Sequence, residues 1–126
     1  MRLRITQSAD RDIVGILRTT AQTFGRQQVH IYAHVVDTGI SMLAADPMQL
    51  SSRDRSDIAT GLRSLHLERV TGRRGSAAHM IHYMISAAPD GEPEIVVLRI
   101  LHEKMDPGRR LLRELRTTQR ADKVTR

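Results

Sequence analysis

The stretch Ile95-Val96-Val97-Leu98-Arg99-Ile100-Leu101 constrains this chain more than any other. Every residue in it is aliphatic except Arg99, and Pro89-Asp90-Gly91 and Met105-Asp106-Pro107 bound it with turn signals. A short apolar run between breakers predicts a strand, here Glu94 to His102. Neighbouring strand residues point to opposite faces, so a run that is apolar at every position must be covered on both. The chain therefore has to place elements above and below this one strand. Arg99 needs its own account, because an unpaired guanidinium in such surroundings is costly. Asp12, Asp37 and Asp57 are the candidate partners for a buried ion pair. The functional alternative is a basic residue at the floor of a groove.

The covering elements can be read from periodicity. Arg2-Leu3-Arg4-Ile5-Thr6 alternates polar and apolar, as a half-buried strand does. Ser8 stands where an N-cap would, with Asp10 and Asp12 at the positive end of the helix dipole. Ala9, Ile13, Ile16, Leu17 and Thr20 recur at helical spacing, predicting a helix over 9–23 that ends at Phe24-Gly25. A second helix, 26–45, carries Val29, Tyr32, Ala33, Val36, Ile40, Leu43 and Ala44 on one face. It stops at Asp46-Pro47, because the residue before a proline avoids helical backbone. Gly39 inside it costs about 1 kcal/mol relative to Ala. The two helices read as an antiparallel hairpin.

Residues 48–60 form a polar connection. Alternation then predicts strands over 62–70 and 77–87, joined by a loop at 71–76. Leu111, Leu112 and Leu115 give a short last helix over 108–116, with disorder expected beyond Thr117. The expected fold is α+β: an N-terminal strand, an antiparallel helical hairpin, a three-stranded antiparallel meander and a short C-terminal helix. Residues 1–112 would form one domain, and 113–126 a basic, disordered extension.

Composition narrows the function classes. The 126 residues suit one domain, and 40% hydrophobic content rules out disorder throughout. Aromatics are 2%, so the core must be aliphatic and single-stranded nucleic acid has almost nothing to stack on. The absence of Cys excludes disulfides, thiolate catalysis and Cys-based metal centres. No apolar run approaches the roughly 20 residues that span a bilayer, and Met1 to Thr6 lacks the apolar stretch of a signal peptide. A cytoplasmic protein without membrane association is expected. The net charge is +6, of which residues 103–126 supply +4, with eight Lys or Arg against four Asp or Glu. Such a tail attracts nucleic acid or an acidic partner.

Other chemistry is sparse. His30 and His34 share a helical face, but Ile31, Tyr32 and Ala33 lie between them and no base or third ligand is in view. His79 and His82, three apart on a strand, point to opposite faces and cannot chelate one ion. Gly72-Arg73-Arg74-Gly75 lacks the Lys-Ser or Lys-Thr and the following helix of a phosphate-binding loop. No metal and no cofactor is expected.

The residues do resemble a known family. Leu3-Arg4-Ile5-Thr6 followed by Ala9-Asp10-Arg11-Asp12-Ile13 is similar to the opening of ParE toxins of the RelE/ParE superfamily. Phe24-Gly25 with Ala33 resembles their hairpin. Asp57-Ile58, Gly61-Leu62-Arg63 and His79-Met80-Ile81-His82-Tyr83 resemble later blocks. Val97-Leu98-Arg99-Ile100-Leu101-His102-Glu103-Lys104-Met105-Asp106 carries the most specific likeness, an R-I-L-H strand end followed by M-D. The resemblance covers residues 2–112.

It implies the toxin of a type II toxin–antitoxin pair, causing growth arrest and serving plasmid stabilisation. ParE proteins poison DNA gyrase; RelE proteins on the same fold cleave messenger RNA on the ribosome. The implied partners are a ParD-like antitoxin, in a toxin–antitoxin hetero-oligomer, and gyrase as target. A gyrase poison needs no catalytic constellation. Arg99, Arg109, Arg110 and Arg113 are then the candidates for target binding, and Val29, Tyr32, Val36 and Ile100 for antitoxin binding. The RelE alternative requires groups that activate a 2′-hydroxyl, stabilise the phosphorane and protonate a leaving oxygen. Arg69, His102 and Glu103 are its candidates, although the last strand ends without the Tyr that such ribonucleases often place there.

Overall fold

The computed structural model describes residues 1–124, with side chains described to residue 118. Strand β1 (Arg2–Ile5) leads into helix α1 (Gln7–Phe24), and α2 (Arg26–Ala45) returns antiparallel to it across Gly25. A two-residue strand β2 (Arg53–Asp54) precedes β3 (Leu62–His66), and a single-turn helix α3 (Glu68–Thr71) separates β3 from β4 (His79–Ala87). Strand β5 (Pro93–His102) and helix α4 (Gly108–Val124) complete the chain. The sheet order is β1-β5-β4-β3-β2, so β4 is the middle strand and β5 lies between it and the edge strand β1. β3, β4 and β5 form the antiparallel meander, while β1 lies parallel to β5, Ile5 opposite Val97. The fold is α+β.

Both faces of β5 are covered, as its apolar run requires. Ile95 and Val97 face the hairpin and pack with Ala9, Val36, Ile40 and Leu43. Val96 and Leu98 face the other way and pack with Leu62 and Leu111, the latter from α4. Between Val97 and Arg99 the β4–β5 register shifts, pairing Tyr83 with Val97 and His82 with Arg99. The extra residue, Leu98, restores Ile100 to the hairpin side beside Ile81.

Several boundaries differ from the expectation for physical reasons. The N-cap of α1 is Thr6, not Ser8: its hydroxyl accepts from the Ala9 N–H at 3.0 Å while donating to Leu98 O at 2.8 Å. The alternation over 62–70 ends at His66, because Leu67 turns its backbone to pair with His79 O and starts α3. Helix α4 continues through Val124, so the disorder expected beyond Thr117 gives way to helix. Its sequence after Gly108 has no Gly or Pro and is rich in Leu and Arg, which favour helix. Residues 125–126 of the expected extension lie outside the described residues. Among the described residues no helix is long and apolar enough to cross a membrane.

Candidate functional site

β1 covers the edge of β5 only as far as Val97, leaving the backbone groups beyond it open. The first turns of α1 close this gap. Thr6 takes Val97 O and Leu98 O, and Asp12 Oδ2 accepts the Ile100 N–H at 2.9 Å. The same carboxylate holds Arg99 in a two-point ion pair, Nε to Oδ2 at 2.7 Å and Nη2 to Oδ1 at 2.9 Å. Asp12 is thus the partner among the three candidates, and its hydrogen bonds raise the Arg99 pKa above its already high ordinary value. On the α4 side of the sheet, Arg99 also feels Glu114, 6% exposed, and lies opposite His82, 1% exposed. Burial first, then the Arg55 and Arg99 cations, push the His82 imidazole down to about 4. Its Nδ1 and the neighbouring Ser64 hydroxyl are the two buried side-chain polar atoms without a partner among the described residues.

On the hairpin side a groove runs along α1. One end, about 710 Å³, is bounded by Asp12, Ile16, Arg99, His102, Met105 and Arg110. The other, about 300 Å³, reaches Gln28, Tyr32 and Ser76. Thr20, Phe24, Ala78 and His79 line both, so the groove is continuous. Phe24 is 71% exposed at its rim, an unusual position for the chain's one phenylalanine.

Three histidines gather at one end of the sheet. His66 ends β3, His79 begins β4 and His102 ends β5, and antiparallel pairing brings these positions together. The Tyr32 hydroxyl lies 2.6 Å from His79 Nδ1, and the His79 and His102 rings meet edge to face at 5.3 Å. Burial, reinforced by His102, lowers the His79 pKa, and burial raises that of Tyr32. His66 Nε2 and Glu103 Oε2 are 2.6 Å apart, and this hydrogen bond lowers the Glu103 pKa.

A family model described as "ParE toxin of type II toxin-antitoxin system, parDE" matches residues 3–107. The chain belongs to the ParE toxin family. Its toxin-antitoxin assignment is that of the family as a whole. The chain is 33% identical over 112 residues to Toxin ParE of Escherichia coli, covering 89% of this chain and 94% of that protein. It also shares its fold with a chain of the chromosomal ParDE TA system from P. aeruginosa, at a TM-score of 0.62 and 20% identity, over 81% of this chain and 95% of that one.

In this ParE-family chain the expected site residues separate by burial. Of the four apolar positions expected to face a partner, Val36 and Ile100 are 1% and 2% exposed and form part of the core. The helical face that carries Val36 is the one turned to the sheet, and the β5 register shift turns Ile100 inward, so neither is open to a partner. Val29 is half-buried, and Tyr32 lines the groove. Arg109, Arg110 and Arg113 are exposed on the first turns of α4, and Arg110 donates to Asp106 O. Arg99 is 22% exposed, tied to Asp12 at the groove's end.

The ribonuclease candidates do not form one bonded set. Arg69 projects from α3 and makes no hydrogen bond or ion pair with His102 or Glu103, while Glu103 is engaged by His66. Tyr83 is fully buried and donates to Pro47 O, a core anchor between β4 and the end of α2. His30 and His34 are both exposed, and among the described residues no three His, Cys, Asp or Glu converge as metal ligands. The Tyr32–His79–His102 contact and the His66–Glu103 pair were missed in sequence. A histidine at the same end of three successive antiparallel strands was the signal that could have found them.

Proposed function

We propose that this chain is a growth-arresting toxin directed at DNA gyrase and neutralised by a cognate, ParD-like antitoxin in a hetero-oligomer. The family match over residues 3–107 carries the reading, since it spans every element from β1 through β5. The absence of a hydrogen bond or ion pair joining Arg69 to His102 or Glu103 among the described residues accords with it, because a gyrase poison acts by binding and needs no acid–base set. In this reading the α1 groove receives an amphipathic antitoxin segment around Phe24 and Tyr32. The arginines of α4, with Arg99 behind them, face the target, an enzyme that is itself bound to DNA. An interface of this kind should exceed about 1,200 Å² in total.

The test is direct. The purified full-length chain, added to gyrase, relaxed plasmid and ATP, should stop supercoiling or accumulate cleaved DNA, and added antitoxin should restore activity. Undisturbed supercoiling at saturating toxin would refute the target. Cutting off residues 107–126 would strip Leu111 from Leu62, Val96 and Leu98, so point substitutions in α4 are the sounder probes.

One observation favours a second reading, ribosome-dependent cleavage of messenger RNA. Tyr32, His79 and His102 bring three titratable side chains together at the groove, the first two hydrogen-bonded and the last two in edge-to-face contact. If His102→Ala abolishes toxicity in a folded protein, and cut messenger RNA appears in cells expressing the parent chain, the ribonuclease reading replaces the gyrase one.

A further inference from the structure

We propose that the outward face of α4 binds the phosphate backbone of duplex DNA directly, independently of any protein target. Arg109, Arg113 and Arg116 are spaced four and three residues apart, which places them on one helical face. All three are exposed. The opposite face packs on the sheet through Leu111, fully buried, and half-buried Leu115. The one acidic side chain described on this helix, Glu114, is 6% exposed and turned in toward Arg99. Charge is therefore sorted by sign across the helix: the anion inward, the cations outward. The outward three make no ion pair among the described residues. The same spacing continues in the sequence at Arg120 and Lys123.

An ordinary solvated helix face mixes both signs at i, i+3 and i+4, because such pairs stabilise the helix. This face forgoes that and sets like charges four apart, which costs helix stability by similar amounts. A ligand that supplies the missing negative charge accounts for the pattern. From residue 109 to 123 the helix rises about 21 Å. A duplex carries about 12 phosphate charges over that length.

The chemistry of the face selects the ligand. A protein partner needs a broad apolar centre that can be desolvated, and Leu112, 45% exposed at the edge of the stripe, is too small a centre by itself. Protein–DNA interfaces are instead polar and strongly positive. Single strands need aromatic platforms, and α4 has no aromatic residue. The major groove of B-DNA admits a helix, whereas that of duplex RNA is too deep and narrow. The cations contact phosphate rather than base edges, so binding is insensitive to sequence.

The experiment uses the full-length chain and a labelled random-sequence DNA duplex of about 20 base pairs, long enough for the whole stripe. Anisotropy is followed between about 50 and 200 mM salt. Three phosphate contacts give a log–log salt slope of about −2.7, a loss of about 40-fold over that range, and five give about −4.5, or about 500-fold. R109E/R113E/R116E should abolish binding and the all-Lys version should keep it. Arg18→Glu, on the exposed side of α1, should change nothing. Should the triple variant unfold, R113E alone must still flatten the slope by about 0.9. No binding at low salt, a slope near zero, or stronger binding to duplex RNA would overturn the proposal. So would a triple variant that keeps DNA binding but loses antitoxin, which would make the stripe a protein interface. Because gyrase is absent from the assay, failure here is distinct from failure of the gyrase reading.

Discussion

Acidification should destabilise this protein, and His82 is the buried group whose share can be isolated. Its imidazole is 1% exposed, opposite Arg99 and near Arg55, and its pKa falls from the usual 6.5 to about 4. Asp12 pulls the other way, more weakly than burial and the two cations. The native side chain is neutral above about pH 4, while in the unfolded chain it ionises near 6.5. Between those values the unfolded state binds a proton that the native state refuses. Stability is therefore fully present above pH 6.5 and drains away as pH falls toward 4. At pH 5 the difference amounts to about 2 kcal/mol, and at pH 4 to about 3. Against a total of about 5–15 kcal/mol for a domain, that is a large share. Urea unfolding at pH 7.5 and pH 5, on the parent chain and on His82→Leu, isolates the effect. His79, whose pKa is also lowered, titrates in both proteins and cancels. The parent should lose about 2 kcal/mol more than the variant between the two pH values. Equal losses, or an NMR titration of His82 near 6.5, would refute the argument.

Asp12→Ala should cost about 2–3 kcal/mol in urea or thermal unfolding: it strands Arg99 and the Ile100 N–H, and the 3–5 kcal/mol typical of a broken buried pair is reduced because Arg99 is 22% exposed. Gly39→Ala should be neutral to destabilising by up to about 2 kcal/mol, since its new Cβ would lie 2.9 Å from Leu67 Cδ2 and 3.1 Å from Ile81 Cδ1, outweighing a helix gain of about 1 kcal/mol. Gly15→Ala, with nothing within 4 Å, should stabilise by about 0.5–1 kcal/mol in the same assay, and a loss there would contradict the open space at that position. Phe24→Ser should leave stability within about 0.5 kcal/mol while weakening capture by the antitoxin at least about tenfold in surface plasmon resonance, because the ring is exposed and carries no core packing.

Element types were legible wherever a periodic apolar pattern met a clear breaker. The α2 helix ends at Ala45 because Asp46-Pro47 cannot continue it, and β5, Pro93–His102, is built around its apolar run. Pairing was less legible. Nothing in Arg2–Ile5 says that β1 lies parallel to β5, because that register depends on where the hairpin returns the chain. The α3 turn was hidden in an alternation that reads equally well as strand. The length of α4 was hidden for another reason. Its charged residues past Arg116 resemble a solvated tail, and only intrinsic helix preference, not an apolar stripe, argued for continuation.

The site was legible in its charges and obscure in its geometry. A lone guanidinium in an apolar strand demanded a carboxylate, and the sequence offered three. Only the structure shows why Asp12 is the one: β1 stops short, and the first turns of α1 must cover the exposed edge of β5. The same carboxylate therefore completes the sheet and neutralises Arg99. Apolar residues gave the opposite lesson. Val36 and Ile100 looked available because helix and strand patterns mark apolar faces without saying which neighbour covers them, and the chain's own core does. Phe24 was read as a helix breaker's neighbour, yet its ring is left outside, at the rim of a groove that also ends on Arg99. Burial, which no linear pattern encodes, separates the residues that hold this fold together from those it leaves for a partner.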